Sequence, residues 1–278
     1  MRNIDSGIIT DAVAKCCRDA CCHIDKDILE IIKSGRAKEE SALSKNVLQQ
    51  ILDNAELAAE KQKPACQDCG TAVIFAEVGQ DLHIEGSFEE AVNTGVAKGY
   101  EEGYLRKSIC NPFTRANTGN NLPAVIHTKL VEGDKLKITV LPKGGGAENV
   151  SALEMLVPAA GIDGIKEFVI ETVKKAGPNP CPPMVIGVGI GGNFETAPLM
   201  AKEALAWSEN YQNPNPEAVK LEAELLEELN KLNIGPGGFG GATSVLSVRV
   251  NTAPCHIASL PCAVNINCHS VRHSTIIL

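Results

Sequence analysis

The chain has 278 residues, with 26 Lys and Arg against 34 Asp and Glu, a formal net charge of −8 and a pI near 5.4. Hydrophobic residues make up 44% and mean hydropathy is −0.01, which suits a soluble globular chain and excludes global disorder. An acidic chain without a Lys/Arg block is not a sequence-independent nucleic-acid binder, because clustered cations are needed to displace counterions from phosphate.

Apolar residues recur at helical spacing from Ile8 to about Lys61: Ile9, Val13 and Cys16, then Ile28, Leu29 and Ile32, then Leu43, Val47, Leu48, Ile51 and Leu52. This predicts three helices. Asp25 or Asp27 is placed to begin the second and Gly35 to end it, and residues 39–60 read as one long amphipathic helix. At Pro64 the texture changes, and Cys66-Gln67-Asp68-Cys69-Gly70 stands in a turn before a strand over 71–79. A helix over 88–104 and a strand over 136–141 follow, and Lys143-Gly144-Gly145-Gly146 turns into an expected helix over 149–160.

Further on come a helix over 165–176, a stiff loop Asn179-Pro180-Cys181-Pro182-Pro183, a strand over 184–188, and helices over 197–207 and 216–232. A glycine-rich stretch over 235–241 leads to a strand over 244–250. With no internal repeat or linker, residues 1–278 are expected to form one α/β or α+β domain. Its helical N-terminal segment, residues 1–63, precedes a mixed sheet covered by helices.

No window approaches the ~20 consecutive apolar residues that span a bilayer. Asp5 and Asp11 stand where a secretory signal would carry an apolar stretch. The expectation is a cytoplasmic protein with no membrane partner. Its eleven cysteines are then reduced thiols, either ligands or small buried hydrophobes. With 4% aromatic residues, stacking platforms for nucleic-acid bases are not expected.

Gly187-Val188-Gly189-Ile190-Gly191-Gly192 contains the G-x-G-x-x-G pattern of dinucleotide sites, yet the second strand and acidic residue that complete that motif are missing. Close backbone packing explains these glycines as well. Cys66-x-x-Cys69 suits a redox dithiol, half of a zinc site or one contribution to an iron-sulfur cluster. Cys181 and Cys268 lie outside any apolar stripe and resemble ligands. Cys16, Cys17, Cys21 and Cys22 on a helix, with Cys110, Cys255 and Cys262, read as structural thiols. The residues 143–149 offer either backbone amides that cradle a phosphate or carboxylate, or an ordinary turn.

Together, Cys66-Gln67-Asp68, Lys143-Gly144-Gly145-Gly146, Asn179-Pro180-Cys181-Pro182-Pro183, the Gly187 to Gly192 run, and Asn267-Cys268 with Arg272-His273 make the chain resemble the α subunit of class I fumarate hydratases. That iron-sulfur hydro-lyase family includes L-tartrate dehydratase. The resemblance implies a 4Fe-4S cluster among the glycine-rich loops, held by Cys66, Cys181 and Cys268, whose open iron acts as a Lewis acid in the dehydration of (S)-malate to fumarate. It implies Gln67, Arg106 and Gly145 as substrate-binding residues, Asp68 as general acid/base, and His256 as a residue that orients substrate or tunes Asp68. Cys69 departs from the family pattern, which usually has Thr there. The resemblance further implies a separate β subunit that completes the active site, in an α2β2 assembly. Against this enzyme reading stands a non-catalytic metal-binding or redox-sensing module, which would have no need of Arg106, Asp68 and the glycine turn together.

Overall fold

Two apolar runs, Thr71–Gly79 and Met184–Gly191, lie inside two separate four-stranded sheets of the computed structural model, which describes residues 2–208 and 210–278. The chain forms two compact units. The first comprises Met1–Ile24, Asn54–Gly145 and Arg272–Leu278, and the second Asp25–Asp53 and Gly146–Val271. The mixed sheets and covering helices are those the sequence predicts. Among the described residues, no helix is long and apolar enough to cross a membrane.

In the first unit, strand β1 (Arg2–Asp5) pairs in parallel with β3 (Leu82–Glu85). The larger sheet has the order β10-β5-β2-β4, formed by β2 (Thr71–Gly79), β4 (Val125–Val131), β5 (Leu136–Lys143) and β10 (Ser274–Ile277). β2 runs parallel to β4 and antiparallel to β5, with Thr71 opposite Lys143. Helix α1 (Ser6–Cys22) is capped by Asp5, which accepts from the Gly7 amide at 2.8 Å, and α4 (Phe88–Glu102) by Ser87, which accepts from Glu90 at 3.3 Å. These caps satisfy amides that have no partner inside the helix.

The helices α1 and α4 approach closely because Gly95 and Gly99 have no side chain. A Cβ there would lie 2.6 Å from the Thr10 oxygen and 2.7 Å from the Ala14 oxygen. The buried face of α1 (Ile9, Val13, Cys16, Cys17, Cys21) and that of α4 (Val92, Val96, Tyr100) share one core with Ile74, Ile138 and Val140 of the sheet. Full burial of each large aliphatic side chain contributes roughly 1.5–3 kcal/mol.

The second unit has the sheet order β6-β9-β7-β8, made by β6 (Ala152–Leu156), β7 (Met184–Gly191), β8 (Val245–Ala253) and β9 (Leu260–Asn267). β7 is parallel to β8 and antiparallel to β9. Side chains alternate across β7. Met184, Ile186 and Val188 join Ile165, Val169 and Val173 of α6 (Gly161–Ala176) and Leu221, Leu225 and Leu229 of α8 (Pro216–Lys231) in one core.

The other face of β7 carries Gly187, Gly189 and Gly191 after Val185, and α7 (Thr196–Ala204) packs on it so tightly that a Cβ at Gly187 would sit 2.0 Å from the Ala201 oxygen. At Gly189 it would sit 2.0 Å from the Ala197 oxygen. The G-x-G-x-x-G run therefore serves packing between strand and helix. Helix α8 begins at Asn215, whose side chain accepts from the amides of Glu217 and Ala218, with Pro216 in its first turn.

The predicted N-terminal helices are α1, α2 (Lys26–Lys38) and α3 (Ala42–Lys61). Gly35 does not end α2. It lies inside the helix, where a Cβ would meet the Thr243 side chain at 3.0 Å. The helix expected over 149–160 is also absent: α5 (Gly145–Glu148) is a single turn, β6 follows, and Pro158–Ala160 is a short 3-10 turn. Ala, Leu, Glu and Met favour helix locally, but antiparallel pairing of Ala152–Leu156 with β9 overrides that preference.

Candidate active site

In the first unit the turn before β2 collects several of the expected residues. Cys66 is half-buried, and its Sγ accepts the Asp68 amide at 3.4 Å. Its thiol reaches Oε1 of the exposed Gln67 at 3.5 Å. Asp68 holds its two carboxylate oxygens on different loops: Oδ1 accepts the Gly70 amide at 2.9 Å and Oδ2 the Gly145 amide at 2.7 Å. Gly70 must be glycine, because at φ of 73° its Cβ would lie 2.7 Å from the Lys143 backbone.

Buried side chains hold this turn from behind. Arg272, 2% exposed, donates to the Asp68 carbonyl through Nη2 and to the Pro142 carbonyl through Nε at 3.5 Å. Tyr100 Oη donates to the carbonyls of Cys69 at 2.7 Å and Gly70 at 3.1 Å, and Asn121 Nδ2 to Gly70 at 3.2 Å. Cys69 is buried, and its Sγ accepts the Arg106 amide at 3.1 Å, which fixes the backbone from which the exposed Arg106 side chain extends. A hydrogen bond from the Cys21 thiol holds Cys69 below the usual thiol range against the opposing effect of burial, aided by the Arg106 amide and the Arg272 charge. Cys21 is pushed up in turn by giving that bond and by burial.

In the second unit the structure brings Cys181 and Cys268 into one neighbourhood. The Cys181 carbonyl accepts both the backbone amide of His269 at 3.4 Å and its ring Nδ1 at 2.9 Å. The Cys268 amide donates to Oδ1 of the buried Asn267 at 3.1 Å. His256 is exposed, and its hydrogen bonds fall within its own turn: Nδ1 accepts the Ala258 amide at 3.1 Å and its carbonyl the Ser259 amide at 2.9 Å. The structure thus groups Cys66, Gln67, Asp68, Gly145 and the Arg106 backbone in one unit, and Cys181 with Cys268 in the other.

Among the described residues, no group of three or more His, Cys, Asp and Glu side chains converges to hold a single metal ion. The chemistry of the donors nevertheless separates the thiols. Cys66, Cys181 and Cys268 stand on loops at least partly open to solvent, as do Cys110 and Cys255, whereas Cys16, Cys17, Cys21, Cys22, Cys69 and Cys262 are buried. Burial pushes the Cys17 thiol up, and Cys262 to about 12, which keeps them protonated and poor as ligands. Iron-sulfur clusters are held by cysteine thiolates, and the three expected ligands are among the five accessible thiols that fit the group chemically.

Sequence reasoning gave no role to Arg272, Tyr100, Asn121 or His269. A buried arginine next to the last strand carries no local pattern, since its partners Asp68 and Pro142 lie far back in the chain. His269 was visible only as the neighbour of Cys268.

Residues 10–277 match the fumarate hydratase (Fumerase) family. A protein of Methanocaldococcus jannaschii with the provisional name L(+)-tartrate dehydratase subunit alpha is 38% identical over 273 residues, covering 96% of each chain. The L(+)-tartrate dehydratase subunit alpha of Escherichia coli K12 is 30% identical over 274 residues, covering 97% of this chain and 90% of its own length. That of Escherichia coli O157:H7 shows the same identity and coverage.

Proposed function

The chain belongs to the fumarate hydratase (Fumerase) family of hydro-lyases, and on that footing we propose that it is the α subunit of an iron-sulfur fumarate hydratase. The reaction is reversible loss of water from (S)-malate, in which the C2–oxygen bond and a C3–hydrogen bond break and the double bond of fumarate forms. The observation that carries the reading is the set built around Asp68, where a carboxylate beside Cys66 is aimed by amides of two loops, Gly70 and Gly145.

Cys66, Cys181 and Cys268 would hold a 4Fe-4S cluster. When bound, such a cluster supplies an iron without a protein ligand, a Lewis acid for the leaving oxygen. Asp68 gives a proton to the departing oxygen, or takes it back in the reverse direction. Arg106 binds a substrate carboxylate by charge-assisted hydrogen bonds, and Gln67 orients the substrate from the same turn. The Gly145 amide cannot serve Asp68 and a substrate carboxylate at full strength together. Substrate binding therefore exchanges one carboxylate for another at this amide and releases Asp68 Oδ2 for proton transfer. His256 orients substrate or tunes Asp68.

The relatives are named as alpha subunits, which supports a companion β subunit here, in an α2β2 assembly that supplies the base for C3. The eleven cysteines, none in a disulfide among the described residues, suit the reducing cytoplasm. The relatives' names favour a second reading, dehydration of L(+)-tartrate, on the same residues. Steady-state turnover of the cluster-loaded complex of both subunits on each substrate decides between them. A kcat/KM for malate above that for tartrate supports the first reading, the reverse order supports the second, and turnover of neither overturns both.

A further inference from the structure

Cys181 has a φ of 54°, in the left-handed region that is unfavourable for a residue with a Cβ. Such a conformation persists only where its surroundings impose it, and it points to a functional constraint. Here the Cys181 amide donates to the Pro178 carbonyl at 3.1 Å, and the next carbonyl, that of Pro182, accepts the Gly237 amide at 2.8 Å. The third restraint is His269, through its backbone amide at 3.4 Å and its ring Nδ1 at 2.9 Å. A carbonyl has no proton to give, so Nδ1 carries the hydrogen and the imidazole is the donor.

His269 directly follows Cys268, and Cys181 lies 88 positions away from it. One side chain thus fastens the backbone of one proposed ligand to the residue beside another. We infer that His269 is a positioning residue that fixes the Cys181 and Cys268 thiols as a pair for the cluster. Hydrogen-bond partners outside the ligand set orient metal ligands in this way, and their loss weakens metal binding about 10–100-fold. The inference rests on the reading that these two thiols are cluster ligands.

The test replaces His269 by Ala, Asn and Gln in the cluster-loaded complex. Asn carries an amide N–H where imidazole has Nδ1, whereas Gln places its N–H near the position of Nε2. Loss of iron to bathophenanthroline is followed by absorbance. The expected result is loss about ten-fold faster in His269→Ala and His269→Gln, with His269→Asn near the wild-type rate. A wild-type rate in His269→Ala, or equal rates in the Asn and Gln variants, overturns the inference.

If the wild-type chain takes up no cluster, the proposed function fails, and the clamp is read on the metal-free chain instead. Phenylarsine oxide bridges two neighbouring thiols, and mass spectrometry locates the bridge. Bridging of Cys181 to Cys268 in wild type and His269→Asn, with loss in the Ala and Gln variants, supports the clamp. Equal bridging in all four proteins overturns it.

Discussion

The Gly145 amide donates to Oδ2 of Asp68 at 2.7 Å across 77 positions of sequence. The proposed proton carrier and the proposed carboxylate-binding glycine are therefore hydrogen-bonded partners within one unit, each setting the position of the other.

Asp68→Asn preserves shape but has no titratable proton, and its single oxygen can keep only one of the two amide hydrogen bonds from Gly70 and Gly145. Turnover should fall by about 10²–10⁴, the usual contribution of a placed acid or base, with iron content unchanged and the unfolding midpoint lowered only by the loss of one hydrogen bond, about 1 kcal/mol. Steady-state kinetics with iron analysis measures both, and wild-type turnover would remove Asp68 from the mechanism.

The three proposed ligands and a buried thiol should behave differently. Cys66→Ala, Cys181→Ala and Cys268→Ala should each fail to retain a full complement of iron. Cys262→Ala, in the core beside Val264 and Ile266, should keep its iron and lose only stability, on the order of 1 kcal/mol. Iron and acid-labile sulfide determination on the four purified variants is the check.

The glycines of β7 give a test of packing. Gly187→Ala places a Cβ 2.0 Å from the Ala201 carbonyl oxygen, and helix α7 must move away, at a cost of about 1–3 kcal/mol or more. Gly146→Ala, whose Cβ would make ordinary contact with the Asn179 oxygen at 3.7 Å, should change stability far less. Urea unfolding of both variants reads the difference.

Glu39 is buried, and its carboxylate accepts the amides of Ala242 and Thr243 at 3.2 Å each. Burial works against its charge, but the backbone amides of Ala242, Glu40, Thr243 and Ser41 outweigh it and hold the group below the usual carboxylate range. A lowered value in the folded state means that the stabilisation is complete above the unfolded value. It is lost as the pH falls through the folded one. Glu39→Gln should cost about 1–3 kcal/mol at neutral pH, and its deficit relative to wild type should shrink as the pH falls below the carboxylate range. Denaturant unfolding from pH 7 to pH 3 tests the sign.

Much of this was legible in the sequence where one element suffices to carry the signal. The strand over 71–79, the helices around Val92 and Leu225, and the turn at Cys66 follow from local periodicity and local turn residues. β6 did not, because Ala152–Leu156 is helix-forming in isolation and becomes a strand only through pairing with β9. The short strands Arg2–Asp5 and Leu82–Glu85 each need the other, and neither has a pattern of its own. At the site, the thiols and Asp68 stood out through motif resemblance. Their supports, Arg272 behind Asp68 and His269 behind Cys181, depend on contacts between distant segments that no spacing rule encodes.

The most direct test of the account is anaerobic reconstitution with iron and sulfide, with and without the β subunit. Iron is then counted, and electron paramagnetic resonance is recorded after mild oxidation, before and after malate is added. The account predicts close to four irons per chain and a signal that changes with malate, as a substrate-binding 4Fe-4S cluster requires. A chain that takes up no cluster, or binds zinc stoichiometrically instead, would contradict it.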